Sequence, residues 1–108
     1  MPLDLVPGPS VVVEPDTPSV CEAVLRIWAS IAPGLVEDTV ELHSNYFDGG
    51  RVLAPHQVWE SMIRPTIMFE SDGNFEFTCT FTWQHRSDPH TVTFYIEDGR
   101  LCGCSVDG

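Results

Sequence analysis

Three residues crowded into one short loop are the first candidates for chemistry: His85, Asp88 and His90. A carboxylate within reach of an imidazole is the minimum needed to move a proton at neutral pH. No nucleophile or oxyanion-stabilising group accompanies them in the local pattern. Asp88-Pro89 is equally an ordinary turn-starting pair. The three are therefore catalytic candidates and not a catalytic set. The second cluster is Cys102-Gly103-Cys104, a C-x-C pair near the C-terminus. Structural zinc sites use two chelating pairs, and only one pair is present here. His90 is the nearest further donor, so Cys102, Cys104 and His90 form the candidate metal set. Neighbours along an extended strand diverge, so the two cysteines are not placed to bridge each other.

The remaining reactive residues read as structural. His43 falls on a helical stripe and His56 near a helix start. Trp28 and Trp59 sit at helical spacing among aliphatic neighbours. Asp48-Gly49-Gly50 marks a chain reversal without the ligand count of a calcium loop. No phosphate-cradling Gly-Lys motif, G-x-S-x-G elbow or H-E-x-x-H is present. No cofactor is implied.

The elements that must position these residues centre on Asn74 to Val106. Phe75, Phe77, Cys79, Phe81 and Trp83 alternate with Glu76, Thr78, Thr80, Thr82 and Gln84. A period of two puts aromatic rings on one face of a strand and polar groups on the other. Val92, Phe94 and Ile96 repeat the pattern. Asp98-Gly99 is the pairing that a type I′ hairpin turn requires. That turn sets Glu97 against Arg100 as an ion pair, Ile96 against Leu101 and Tyr95 against Cys102. Matching apolar faces then sets Trp83 against Val92, Phe81 against Phe94 and Cys79 against Ile96, with 85–90 as a six-residue loop. The polar face carries Thr78, Thr80, Thr82, Thr91, Thr93, Tyr95, Cys102 and Cys104. Within it Thr80, Thr82, Thr93 and Tyr95 are the candidate binding surface.

Upstream, residues 1–17 form a Pro-rich arm in which Val11, Val12 and Val13 suit a short edge strand. Residues 1–9 are expected to be poorly tied down. Asp16-Thr17-Pro18 starts a helix, and Pro33-Gly34 ends it. Leu35 to Phe47 admits strand alternation, but helical spacing fits it better. Pro55 opens a third helix with Val58, Trp59, Met62 and Ile63 on its apolar face, stopped by Pro65. Thr66 to Phe69 is a short strand. The expected fold is α+β, an antiparallel β-meander of three to five strands packed on two or three helices. Residues 18–108 are one domain.

Charge bounds the partners. Sixteen acidic residues against five basic give −11 at pH 7. Such a chain lacks the cations that nucleic-acid binding needs, and an anionic membrane repels it. A partner steered by long-range charge is basic. The N-terminus has no basic region followed by an apolar stretch, and no apolar run approaches a membrane span, so a cytoplasmic, by default bacterial, setting is expected.

The run from Phe75 to Trp83, through Asp88-Pro89-His90 to Ile96-Glu-Asp-Gly-Arg100, resembles the C-terminal end of a group of small uncharacterised bacterial domains. These end in a strand, a Trp, an Asp-Pro-Glu-His-like turn, a second strand and a Gly turn. Some accompany polymorphic toxins and are read as immunity proteins. The acidic residue between Pro and His is absent here, and Gln84 to Ser87 are extra. The resemblance covers about a third of the chain and implies the strand order together with an antitoxin-like role. The residues favour a non-enzymatic protein-binding module directed at a basic partner. A small-molecule- or metal-dependent enzyme built on the 85–90 loop and a structural homodimer are the alternatives.

Overall fold

The computed structural model describes residues 2–46, 52–84 and 89–107, with the side chain of Tyr46 set aside. The architecture is α+β. Two N-terminal strands, β1 (Leu3–Asp4) and β2 (Ser10–Glu14), precede one long helix, α1 (Pro18–Tyr46). A single-turn helix, α2 (Val58–Ser61), then leads into β3 (Met62–Ser71), β4 (Asn74–Phe81), β5 (Val92–Glu97) and β6 (Arg100–Val106). The six strands lie in sequence order in one sheet. The β2–β3 pair is parallel and the other pairs are antiparallel. A parallel pair needs a crossover, and α1 is the crossover element.

This corrects the expected three- to five-stranded antiparallel meander. The arm is part of the sheet, and it is firmly held. Leu5 is buried, its N–H donates to Pro9 O at 3.1 Å, and the Trp28 indole N–H donates to Pro7 O at 2.6 Å. Gly8 closes the contact: a Cβ there would lie 2.9 Å from Leu5 Cβ and 3.0 Å from the Trp28 ring.

The helix start is as expected. Thr17 Oγ1 accepts the Val20 N–H at 3.3 Å, with Pro18 in the first turn. The helix end is not, because Pro33-Gly34 lies inside α1. A proline there costs about 3 kcal/mol. The apolar stripe runs unbroken on both sides of it, however: Val20, Val24, Trp28, Ile31 and Leu35 are buried, as are Thr39 and His43. At about 1.5–3 kcal/mol for each large apolar side chain buried, tertiary packing exceeds the local penalty. Gly34 also lets the helix approach β6, since a Cβ would sit 3.1 Å from Leu101 Cδ2. By length and composition Pro18–Asn45 could cross a membrane, which overturns the expectation that no segment would; in the fold its apolar stripe packs into the core.

The expected third helix does open at Pro55, as a 3-10 turn over Pro55–Gln57 that runs into α2, but it ends at Ser61, and Pro65 stops no helix. It lies within β3, at a register shift between Ile63 and Thr66. Ile63 pairs with Thr80 and Thr66 with Thr78, so Arg64 and Pro65 together oppose Cys79. That is a β-bulge, the one place inside a sheet where a residue without an N–H fits. Arg64 has φ of 51°, in the left-handed region. The bulge holds it there at a cost of about 1–3 kcal/mol.

The core lies between α1 and the inner face of the sheet. Trp28 stacks on Phe77 at 5.7 Å and tilts against Trp59 at 5.8 Å, and Phe77 meets Phe94 edge-on at 6.1 Å. Trp28→Phe should remove the indole donor and leave Pro7 O without it, lowering stability by about 2 kcal/mol. Urea denaturation measures the change, and limited proteolysis should show faster cleavage before residue 10. A loss under about 0.5 kcal/mol with unchanged cleavage would mean that the arm is held by other contacts.

Candidate functional site

Among the described residues no element covers the outer face of the sheet, and its registers align side chains in rows. Glu14, Met68, Glu76 and Tyr95 form one row across β2 to β5. Val12, Thr66, Thr78, Thr93 and Ser105 form the next, and Ile63 and Thr80 the last. The face carries large exposed apolar groups: Val12 is 52% exposed, Met68 45% and Ile63 39%. Its hydroxyls include Tyr95, hydrogen-bonded to Ser105 at 2.8 Å. Of the four expected binding residues, Thr80, Thr93 and Tyr95 lie on this face. Thr82 is in the turn beyond β4, where its N–H donates to Ser61 O at 2.8 Å.

Two hollows mark the ends of the face. One, of about 630 Å³, is lined by Met68, Glu70, Glu76, Tyr95, Glu97 and Asp98. It is acidic around an apolar and aromatic floor. The other, of about 660 Å³, lies by the β3 bulge and includes Ile63, Arg64, Thr80, Thr82, Gln84 and Pro89. Sequence reasoning missed Arg64. The available signal was Arg-Pro interrupting a strand-like run, read as a helix stop. It also missed Gln84, whose buried amide accepts the Phe81 N–H at 2.9 Å and donates to His90 O at 2.9 Å. Nothing in the sequence singles out that glutamine.

The β4–β5 register differs from the expected one by four residues. Cys79 pairs with Val92, Phe77 with Phe94 and Phe75 with Ile96. An even slip keeps every side chain on its expected face, so face matching alone does not discriminate. The strand consequently ends at Phe81, and Trp83 leaves the ladder to stack on Phe81 at 4.7 Å, with His43 edge-on at 5.1 Å. Burial lowers the His43 pKa below the usual imidazole value.

A second bulge corrects the cysteine placement. Beyond Ile96–Leu101 the ladder shifts, and Tyr95 pairs with Gly103, Phe94 with Cys104 and Thr93 with Ser105. Cys102 stays outside, its thiol 3.8 Å from Glu97 Oε2. Cys104 turns to the helix side, beside Asp38, Glu41, Leu42 and Asn45 in a cleft of about 290 Å³. Partial burial, then the nearby Asp38 and Glu41 charges, raise its pKa. The two candidate metal-ligating thiols thus point to opposite faces. Glu97 and Arg100 oppose each other as expected, but their ion pair does not form; Arg26–Asp72 at 3.5 Å, both exposed, is present.

His90 is half-buried, and its carbonyl is tied to Gln84. His85 and Asp88 lie outside the described residues, as do Phe47 and the Asp48-Gly49-Gly50 reversal. Among the described residues no three of His, Cys, Asp and Glu are grouped to hold a metal ion. All four cysteines are free. No family model, no curated protein and no solved structure matches the chain.

Two measurements check these environments. Burial pushes the Cys79 thiol up to about 12. A disulfide reagent at pH 8 should therefore titrate Cys21, Cys102 and Cys104 in the folded protein, Cys102 before Cys104, and reach Cys79 only in denaturant. A fast fourth thiol would contradict the buried placement. For His43, the folded pKa lies below the unfolded value near 6.5. As pH falls through that value the unfolded chain takes up the proton first, so this stabilising contribution is lost toward acid. Between pH 8 and pH 5.5, His43→Phe should lose less urea resistance than the unmodified chain. Parallel pH profiles would refute the assignment.

Proposed function

We propose that the chain is a non-enzymatic protein-binding module whose open sheet face receives a basic partner, in the manner of an immunity-type inhibitor. The observation that supports this reading is the acid-flanked hollow on a face that no described element covers. Met68 and Tyr95 offer a floor for the alkyl stem of an arginine or lysine, and Glu70, Glu76 and Glu97 surround it with carboxylates. A cationic side chain lying over an aromatic ring with its head on carboxylates is a strong recognition arrangement. The net charge of −11 would speed the approach of such a partner and slow it as salt rises.

A cytoplasmic setting belongs to the same proposal, since four unpaired cysteines suit a reducing compartment. Self-association along the β6 edge has less support. The bulge at Cys102 and Gly103 interrupts the row of backbone groups that a second copy would need.

Charge reversal tests the proposal. The Glu70→Lys/Glu76→Lys double variant should lose at least tenfold in affinity for the protein that the unmodified chain captures from its own host, and Glu22→Lys, on α1, should lose less than twofold. Equal capture by both variants, or capture insensitive to salt, would remove the acidic hollow from consideration.

A further inference from the structure

The hollow at the opposite end of the open face has a different chemistry. The chain has five cations, all arginines, against sixteen carboxylates. Arg26 is paired with Asp72, whereas Arg64 makes no ion pair among the described residues. Arg64 is exposed beside a groove of about 660 Å³, within the ~300–1,000 Å³ typical of small-molecule sites. Its backbone is left-handed and immediately precedes a proline, a position that ordinarily favours extended geometry. The bulge that enforces this conformation sets where the side chain leaves the sheet. β2 pairs with β3 only from Thr66 to Met68, so among the described residues no strand borders Arg64 on that side.

The rest of the lining suits an anion with an apolar body. The hydroxyls of Thr80, Thr82 and Thr91 have no hydrogen-bond partner among the described residues and are free to donate. Ile63, on the outer face, and the exposed Pro89 supply apolar surface. Gln84 pins the connection beneath, holding His90 and Phe81 at fixed separation. A guanidinium presents parallel N–H donors that match the two oxygens of a carboxylate or phosphate.

We propose that this groove binds a small organic anion, with its carboxylate or phosphate head on Arg64 and the threonine hydroxyls and its apolar body along Ile63 and Pro89. The inference stands apart from the protein-binding reading, which uses the acidic end of the face.

The experiment uses 8-anilinonaphthalene-1-sulfonate, a fluorescent aromatic anion, as the probe on the full folded chain at pH 7.5. One saturable site is expected. Octanoate and phenyl phosphate should each displace the probe, and their relative strengths identify the preferred head group. Octylamine, with the same apolar body and opposite charge, should displace it at least tenfold more weakly. Arg64→Gly removes the guanidinium and suits the left-handed backbone, so its melting temperature should equal or exceed that of the unmodified chain while probe affinity falls at least tenfold. Arg64→Lys should retain part of the affinity, and Arg100→Gln should leave it within twofold. Absence of a saturable site, equal displacement by octylamine, or unchanged affinity in a folded Arg64→Gly variant would each overturn the proposal.

Discussion

Trp28 donates its indole N–H to the carbonyl of Pro7, lies against Phe77 and Trp59, and is 1% exposed. Four parts of the chain meet at this one side chain: the arm, the long helix, the segment before β3 and the centre of the sheet. A buried indole needs a partner for its nitrogen, and the partner comes from the arm. The parallel β2–β3 pair depends on that contact, because β2 must be brought beside β3 from the other end of a 29-residue helix. Local hydrogen bonds do not span that separation. The hydrophobic contact does, and its strength also lets α1 continue through Pro33.

Two β-bulges then decide which residues face solvent. The bulge at Arg64 and Pro65 admits a proline into a sheet and turns an arginine out at one end of the open face. The bulge at Cys102 and Gly103 turns Cys104 toward the helix and interrupts the exposed edge of β6. Each adds a single residue to one strand, and each changes the chemistry of a surface. Without the second, Cys102 and Cys104 would share a face. Without the first, Arg64 would occupy an ordinary strand position.

The open face consequently has two ends of opposite character. Glu70, Glu76 and Glu97 surround Met68 and Tyr95 at one end, while Arg64 stands among threonines and Ile63 at the other. Val12, Thr66, Thr78 and Thr93 lie between them. On the proposed protein-binding reading, a surface polarised along the strands would offer a partner an orientation as well as a contact. Charge complementarity of that kind contributes more to specificity and approach than to raw affinity.

Much of the sheet was legible in the residues themselves. The alternation from Phe75 to Phe81 and from Val92 to Ile96, the Asp98-Gly99 turn with Asp98 at φ 51° and Gly99 at φ 73°, and the cap at Thr17 are local signals, and local geometry determines them. Which residues face inward along β4 and β5 was likewise decided by side-chain period. What the sequence could not decide was any choice between states that satisfy the same local rule. A four-residue slip of β4 against β5 leaves every face unchanged, so only packing of the following turn, through Trp83 and Gln84, selects the register. Pro33-Gly34 and Arg64-Pro65 both read as helix breakers, yet the first is overridden by the apolar stripe of α1 and the second is absorbed by a bulge. The candidate residues of the 85–90 loop and the C-x-C pair drew attention because their types are reactive. The two hollows of the open face are made of common residues, Met, Thr, Glu and one Arg, and they exist only because separate strands bring them side by side.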